Sequence, residues 1–314
     1  MKKIAVVALG GNAILPPDSK GDIHSQFANT RKSLVSVLHF IKKDYNIVIT
    51  HGNGPQAGDE ILRNELARHI IPELPLGVID AATGGWMGYM IQQSLHNILV
   101  RNNIERDVVT IPTQVLVDEN DPMWNKPTKP IGRCLNEKEA KELIEDNIPV
   151  IEYSKGCYRR VVPSPHPKGI VEKKIIKMLV ENGVIVIAVG GGGIPVYLTE
   201  ENTLEGLDAV IDKDLSSSVL ALEIGADILV ILTGVPSVYI NYNKPDMKKI
   251  ERMTSSEARK LLKEGHFPPG SMGPKILAAC EFVENGGKEV LITSLDVIEE
   301  ALEYREGTRI YPDV

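Results

Sequence analysis

The chain has 314 residues, 43% of them hydrophobic and 25% charged, and a formal net charge of −7 at pH 7. This composition is ordinary for a globular protein with a sizeable core in one or two domains. The negative charge argues against nucleic acid as a partner, and no apolar run is long enough for a membrane span. The chain starts with a strand pattern rather than a signal peptide, so we expect a cytoplasmic protein.

The first third of the chain alternates short apolar runs with amphipathic stretches. The pattern predicts strands at 3–9, 46–50 and 107–111, and helices at 23–43, 55–68 and 78–101. Repeated strand–glycine loop–helix units are typical of an α/β fold with a parallel sheet. Ligands of such sheets bind beyond the carboxyl ends of the strands.

Residues 113–170 break this rhythm. An irregular, proline-rich segment precedes a predicted helix at 136–146, a hairpin at 149–162 and a second proline cluster at 163–167. Because compact domains rarely contain such a stretch without βα units, we interpret it as an insertion, a lid or a small subdomain with a function.

The βα rhythm returns in the second half of the chain. The pattern predicts strands at 184–189, 196–199, 204–210, 227–232 and 289–293, and a last edge strand at 308–311. Helices are predicted at 171–182, 215–224 and 254–264, at 294–303, and from a glycine-rich opening at 270–275 to 284.

The cysteines and histidines predict no metal site. Cys134, Cys157 and Cys280 are widely spaced without a CxxC pair, and the seven histidines show no ligand spacing. We therefore expect neither a disulfide framework nor zinc, which fits a reducing compartment.

Four predicted strands end in glycine. The residues are Gly10 and Gly11, Gly52 and Gly54, Gly190, Gly191, Gly192 and Gly193, and Gly234. One such turn needs glycine for geometry alone, but four on one sheet edge suggest backbone N–H groups that hold an anion. Neither a GxxxxGK[ST] loop nor a complete GxGxxG fingerprint with its downstream acid is present.

Three lysines lie where no surface pattern requires them. Lys129 is flanked by prolines, and Lys275 is near the start of a helix, where the macrodipole opposes a cation. Lys213 lies between Asp212 and Asp214 at a strand-to-helix junction. Phosphoryl transfer needs alignment and cations that follow the moving charge, so these lysines with the glycine loops suggest a kinase. Each lysine alone is also consistent with a solvated surface residue, and Asp214 with a helix cap.

Eight segments together match a known family. They are ALGGNA (8–13), THGNGPQ (50–56), GYMIQQ (88–93), KPTKPIG (126–132), RRVVPSP (159–165), GGGGIPV (190–196), AVIDKDL (209–215) and GHFPPGSMGPK (265–275). In these segments the chain resembles the carbamate kinases of the amino-acid kinase superfamily. The match covers essentially the whole chain, and AVIDKDL together with GSMGPK is highly specific.

The resemblance implies a three-layer αβα sandwich with a mainly parallel central sheet, a small protruding lid subdomain and a homodimer. It implies one domain over 1–314, with an acceptor-binding half at about 1–182, the lid at about 113–170 and a nucleotide-binding half at about 183–314. The implied reaction is reversible phosphoryl transfer between ATP and carbamate, often run toward ATP, with Mg²⁺ accompanying the nucleotide. Neither nucleic acid nor a membrane is an implied partner.

The resemblance also implies site residues by motif position. The catalytic set is Lys129, Lys213, Lys275 and Asp214. The substrate set is Gly10, Gly11, Asn12, Gly52, Asn53 and Gly54. The nucleotide set is Gly191, Gly192, Asp212, Lys213, Thr233, Tyr239, Met272, Gly273 and Lys275.

Three departures from the family pattern leave alternatives open. The family's LTDV is LTGV here, which removes an acid at Gly234. Its HGNGPQVG has Ala57 in place of valine, and its SQG is replaced by Thr83, Gly84 and Gly85. One alternative is therefore a kinase acting on another small carboxylate, such as an amino acid. The other is a non-catalytic relative that binds nucleotide.

Overall fold

The computed structural model describes residues 2–16, 21–268 and 270–313, apart from the side chain of Asn12. Its strands are β1 (Ile4–Leu9), β2 (Asn46–His51), β3 (Val108–Thr110), β4 (Gln114–Leu116), β5 (Lys129–Leu135), β6 (Val150–Ser154), β7 (Cys157–Val162), β8 (Gly169–Ile170), β9 (Ile185–Gly190), β10 (Ile194–Leu198), β11 (Leu204–Gly206), β12 (Ile228–Leu232), β13 (Val238–Ile240), β14 (Lys248–Ile250), β15 (Arg252–Thr254), β16 (Val290–Thr293) and β17 (Thr308–Tyr311). Its helices are α1 (Ile23–Leu34), α2 (Val37–Lys42), α3 (Gly54–Ala67), α4 (Leu76–Arg101), α5 (Glu137–Glu145), α6 (Lys173–Glu181), α7 (Lys213–Ile224), α8 (Ser255–Lys263), α9 (Met272–Glu284) and α10 (Ile298–Leu302).

The apolar runs of the sequence form a central eight-stranded sheet. Its strand order is β15-β17-β16-β12-β1-β2-β9-β3, and every pair from β16 to β3 is parallel. Every residue of β1, β2 and β12 is buried. This burial on both faces explains why these strands are continuous apolar runs rather than alternating ones.

Helices cover both faces of the sheet. Successive side chains of a strand point to opposite faces, so Val6 and Val48 pack with α6, α7, α8 and α9, while Val7 and Ile49 pack with α1, α2, α4 and α10. The predicted three-layer sandwich with a mainly parallel sheet is therefore confirmed. None of the helices in the described ranges is long and apolar enough to cross a membrane.

The stretch at 113–170 forms parts of two smaller sheets. Its middle folds into an antiparallel sheet, β5-β7-β6, with α5 beside it. The hairpin at 149–162 is confirmed, and α5 begins at the predicted place with a capping box between Asn136 and Glu139. The flanking strands β4 and β8 pair instead with each other, and β4 also pairs with β10. We call the β5-β7-β6 sheet with α5 the small sheet.

The expectation that the cysteines are unpaired is wrong for two of the three. Cys134 in β5 and Cys157 in β7 form a disulfide, with Cα atoms 5.2 Å apart, and Cys280 is free and buried. The two strands pair with Leu135 opposite Tyr158. This register brings the two cysteines together across 23 residues of sequence, which their spacing alone did not indicate.

Other predicted elements differ in detail. The strand β17 is not at the edge of the sheet, because β15, which the sequence did not suggest, covers it. The helix expected at 23–43 is divided into α1 and α2. The helix expected at 294–303 is a 3₁₀ turn, Leu295–Val297, followed by α10. Periodicity predicts the ends of helices less well than their middles, and it does not predict which strand lies at the edge of a sheet.

Candidate active site

Four glycine-bearing strand ends lie side by side. The strands β12, β1, β2 and β9 are consecutive neighbours and parallel, so their carboxyl ends share one sheet edge. A Cβ at Gly10 would lie 2.8 Å from the carbonyl oxygen of Leu232, so the ends of β1 and β12 approach each other closely. The predicted common edge is confirmed, whereas its role in holding an anion stays a prediction.

The glycine run after β9 is a packing junction. Gly191, Gly192 and Gly193 are buried and have φ values of 74°, 100° and 91°, which favour glycine. A Cβ at Gly191 would overlap the amide of Asn53, and one at Gly192 would overlap the carbonyl oxygen of Ile211. The run thus lets the strand end approach Asn53 and the segment that leads to Lys213.

Five charged side chains converge beside this junction. Lys129 Nζ lies 2.5 Å from Asp212 Oδ2, Lys213 Nζ lies 2.6 Å from Asp214 Oδ1, and Lys275 Nζ lies 2.8 Å from Asp214 Oδ2. The lysines come from β5, α7 and α9, so the fold joins three distant segments. We call these five residues the lysine–aspartate cluster.

The helix cap of α7 is Asp212, not Asp214. Asp212 Oδ1 accepts the backbone N–H groups of Asp214 and Leu215 at 2.9 and 3.3 Å. The alternative that Asp214 serves as a helix cap is therefore wrong. Asp214 is left to face two lysines.

Burial makes the electrostatics of the cluster strong. The exposed fraction is 8% for Lys213 and 3% for Asp214. Burial alone would raise the pKa of Asp214, but Lys213 and Lys275 outweigh it and hold that pKa well below its usual range. Burial lowers the pKa of Lys213, and Asp214 opposes this shift. Three cations against two carboxylates leave a net positive charge in a poorly solvated place, which an anionic ligand would offset.

At the start of α3, Asn53 forms hydrogen bonds away from its own helix. It occupies the N-cap position of α3, yet its side chain does not cap the helix. Its Nδ2 instead donates to Asp80 Oδ1 and to Thr83 Oγ1 of α4, both at 2.8 Å. All three residues are buried, and we call them the Asn53 group.

Neutral groups dominate around Asn53. Burial raises the pKa of Asp80 to about 8, and the hydrogen bond from Asn53 offsets only part of that rise. Burial also lowers the pKa of the neighbouring His51 to about 4. Sequence reasoning missed Asp80. The available signal was that Asp80 is the one acidic residue of the long helix α4.

The loop between β2 and α3 lies between the cluster and the small sheet. A Cβ at Gly52 would lie 3.9 Å from Lys213 Cδ, and one at Gly54 would lie 3.8 Å from the carbonyl oxygen of Pro130. The strand β5, which begins with Lys129, thus passes over the N-terminus of α3. The side chain of Asn12 is outside the described part of the chain.

Two neighbouring cavities lie near Lys275. The larger, of about 750 Å³, is lined by residues that include Gly10, Gly11, Thr233, Lys275 and, from the small sheet, Tyr153. The smaller, of about 210 Å³, shares Thr233, Gly234 and Ser271 with it and is also lined by Tyr239, Phe267 and Met272. The predicted nucleotide residues Thr233, Tyr239, Met272 and Lys275 therefore meet at open space.

The remaining predicted nucleotide residues are elsewhere. Gly191, Gly192, Asp212 and Lys213 belong to the buried junction and the cluster, and none of them lines these two cavities. Gly273 lies in the first turn of α9, where a Cβ would lie 3.0 Å from the carbonyl oxygen of Pro268. Within the described ranges, no three His, Cys, Asp or Glu side chains are grouped to hold a metal ion.

Comparison with known proteins identifies the family of the chain. A family model described as "Amino acid kinase family" matches residues 3–294. The chain belongs to the amino acid kinase family. This family member is 49% identical over 314 residues to a carbamate kinase of Thermococcus kodakarensis, covering 99% of each chain.

Solved structures extend the similarity to the whole fold. A carbamate kinase from Giardia lamblia bound to citric acid matches with a TM-score of 0.94 at 43% identity, and 99% of each chain is covered. The Giardia lamblia carbamate kinase bound to AMP-PNP matches with a TM-score of 0.90 at 45% identity, again over 99% of each chain. The resemblance inferred from sequence motifs is thereby confirmed.

Proposed function

We propose that this member of the amino acid kinase family transfers a phosphoryl group reversibly between ATP and carbamate and runs toward ATP formation. The observation that carries the proposal is the convergence of Lys129, Lys213 and Lys275 on two aspartates at the shared sheet edge. Relatives and solved structures named carbamate kinase, matched over nearly their full length, support the substrate.

The cluster supplies the electrostatics of the transfer. Asp214 holds Lys213 and Lys275 about a common point, so both cations are in place before the phosphoryl group arrives. Lys129 comes from the small sheet, and its contact with Asp212 ties that sheet to the start of α7. The excess positive charge of the cluster favours the transition state, in which negative charge spreads over the transferring group.

The nucleotide occupies the two cavities beside Lys275. Tyr239, Phe267 and Met272 offer an apolar lining of the kind that suits a base. The larger cavity reaches Ser271 at the start of α9, where the positive end of the helix dipole favours the negative charge of a phosphate. Thr233 lines both cavities, and Gly191, Gly192 and Gly273 act by letting the backbone segments beside the site pack closely.

Mg²⁺ binds with the nucleotide in this proposal. The carboxylates nearest the phosphates, Asp212 and Asp214, are paired with lysines, so phosphate oxygens supply most of the ligands. The ion contributes charge neutralisation and phosphate alignment. The binding and positioning of both substrates fall to the chain's own residues.

The acceptor lies beneath β5. Gly10, Gly11, Asn12, Gly52, Asn53 and Gly54 form its site in the proposal. Because the glycines have no side chains, backbone atoms form most of the lining of this site, which suits an acceptor as small as carbamate. Glycine also faces glycine where β5 lies on α3, since a Cβ at Gly58 would overlap Gly132. We propose that the small sheet acts as a lid of the acceptor half (about 1–182), while about 183–314 holds the nucleotide.

A coupled assay of ATP formation from ADP and carbamoyl phosphate tests the function. We expect ATP to form in proportion to enzyme, with a requirement for Mg²⁺. Transfer from another acyl phosphate in preference to carbamoyl phosphate would show that the acceptor is a different carboxylate. Stabilisation by ADP without transfer from any acyl phosphate would show a nucleotide-binding relative and overturn the proposal.

A homodimer in the cytoplasm is proposed with this activity. Exposed apolar side chains follow one another near the end of α3, with exposed fractions of 74% for Leu66 and 86% for Ile70. An exposed apolar patch often marks an interface. The location follows from the reaction, because ATP and ADP are held inside the cell. Light scattering should give twice the mass of the 34.5 kDa chain, and a monomer would contradict the dimer.

A further inference from the structure

The amide of Asn53 is held in one orientation by α4. Thr83 is a helix residue whose Oγ1 lies 2.8 Å from the carbonyl oxygen of Ile79. A carbonyl oxygen only accepts, so the Thr83 hydroxyl donates its proton to Ile79. Thr83 Oγ1 therefore presents a lone pair to Asn53, and the Asn53 atom that faces it is the NH₂ group.

Both protons of that NH₂ group are used inside the protein. One goes to Thr83 Oγ1, and the other goes to Asp80 Oδ1. The Asp80 oxygen accepts this bond whether or not the other oxygen of the carboxyl group carries a proton.

The side-chain carbonyl oxygen of Asn53 can therefore only accept a hydrogen bond, and no protein group donates one to it in the described part of the chain. Asn53 is 1% exposed, and its Oδ1 has no hydrogen-bond donor among the residues that the structure describes. A Cβ at Gly191 would lie 3.0 Å from this oxygen and 2.4 Å from the amide nitrogen, so only glycine lets the backbone after β9 pack this closely against the Asn53 amide. A buried acceptor without a donor destabilises the protein, and a ligand N–H that donates to it would remove this cost.

We propose that Asp80 and Thr83 are positioning residues that turn the Asn53 carbonyl oxygen toward the amino group of the acceptor. This inference rests on the proposed function and adds the basis of its specificity. Carbamate carries an N–H that donates to the oxygen, whereas acetate has a methyl group of similar size in that place. The site then prefers carbamoyl phosphate to acetyl phosphate because the methyl group leaves the oxygen unpaired.

The test is a ratio of specificities. The kcat/KM values for ATP formation from ADP are measured with carbamoyl phosphate and with acetyl phosphate. Thr83→Val keeps the shape of the side chain but removes the lone pair that holds the amide, so we expect the ratio to fall about tenfold. Thr83→Ser restores the hydroxyl and is expected to restore the ratio.

A matched control lies on the same helix. Ser94 is a buried residue of α4 whose hydroxyl has no hydrogen-bond partner in the described part of the chain. Ser94→Ala removes a buried hydroxyl without touching Asn53, so we expect the wild-type ratio. If Thr83→Val does not yield folded enzyme, Thr83→Ala is measured in the same way.

The outcomes separate the two proposals. An unchanged ratio in Thr83→Val overturns the positioning inference alone. If kcat/KM falls equally with both acyl phosphates, the role of Thr83 is merely structural. A wild-type enzyme that forms ATP from neither acyl phosphate overturns the proposed function, and the inference falls with it.

Discussion

The lysine–aspartate cluster and the Asn53 group, which both lie beside the glycine run after β9, bury polar groups in opposite ways. In the lysine–aspartate cluster, ion pairs at 2.5 to 2.8 Å keep the charges fixed, and the pKa of Asp214 is held low. In the Asn53 group, the polar atoms are tied by neutral hydrogen bonds, and burial raises the pKa of Asp80. The same lack of solvent thus strengthens charge on one side and suppresses it on the other.

This difference suggests a division of labour. A buried excess of positive charge attracts any phosphate and stabilises its transfer, but it distinguishes poorly between small acceptors. A fixed, neutral acceptor atom contributes little charge but rejects a ligand that cannot donate to it. In the function that we propose, the cluster gives rate and the Asn53 group gives selectivity.

The largest expected effect comes from breaking the cluster at its centre. Asp214→Asn leaves Lys213 and Lys275 buried without their shared carboxylate, so we expect a loss of about 3–5 kcal/mol in the free energy of unfolding at pH 7. Urea unfolding measures the loss. Glu205→Gln, in the exposed strand β11, serves as the control and should stay within about 0.5 kcal/mol of wild type.

The sign of its pH dependence is also fixed. The folded-state pKa of Asp214 lies below the ordinary 3.8, so its contribution is fully present above that value and is lost as the pH falls through the folded-state pKa. The difference in stability between wild type and Asp214→Asn should therefore shrink in acid below about pH 4. A difference that grows in acid would contradict this account of the cluster.

Removing one cation should affect rate more than stability. Lys213→Ala takes away a cation preorganised for the transferring group, so we expect kcat for ATP formation to fall by about 10²–10³. Lys138→Ala, in the exposed face of α5, is the matched lysine control and should keep the wild-type rate. Wild-type turnover in Lys213→Ala would remove this lysine from the proposed catalytic set.

A smaller effect should follow from a side chain added to the glycine run that packs against the segment leading to Lys213. Gly192→Ala places a Cβ against the Ile211 carbonyl oxygen at a φ of 100°, so we expect a loss of about 1–3 kcal/mol in stability and a reduced rate. Gly156→Ala also has a positive φ, of 74°, but nothing lies within 4 Å of its Cβ. It should cost only the backbone strain, about 1 kcal/mol, and leave the rate unchanged. Equal effects of the two variants would show that the junction is not close-packed.

The smallest effect is a pH slope on the neutral side. Since the folded-state pKa of Asp80 is raised to about 8 from 3.8, the unfolded chain loses a proton between these values that the folded chain keeps. Stability should therefore fall as the pH rises, by about 1 kcal/mol between pH 6 and pH 7 from this group. Asp80→Asn cannot ionise, and its thermal unfolding should lack this contribution. The same slope in both proteins would mean that Asp80 ionises in the folded state.

Much of the fold was accessible from the sequence because it depends on local patterns. Continuous apolar runs predicted β1, β2, β9 and β12, and the glycine that follows each of them predicted the shared edge. The helix predicted at 136–146 is α5, whose start is explained by the capping box between Asn136 and Glu139. The sequence context of the three lysines indicated a kinase, and the eight matching segments then gave the family.

Contacts between distant segments were decided only by the tertiary structure. Nothing near Lys129 indicates Asp212, 83 residues away, and nothing near Asn53 indicates Asp80 and Thr83. The Cys134–Cys157 bond and the interior place of β17 depend on strand register and order. The sequence by itself indicated the glycines, the three lysines and their aspartates, but not Asp80, since periodicity and glycine act locally. Packing determined which groups meet and how far water is excluded from them, and therefore which are charged.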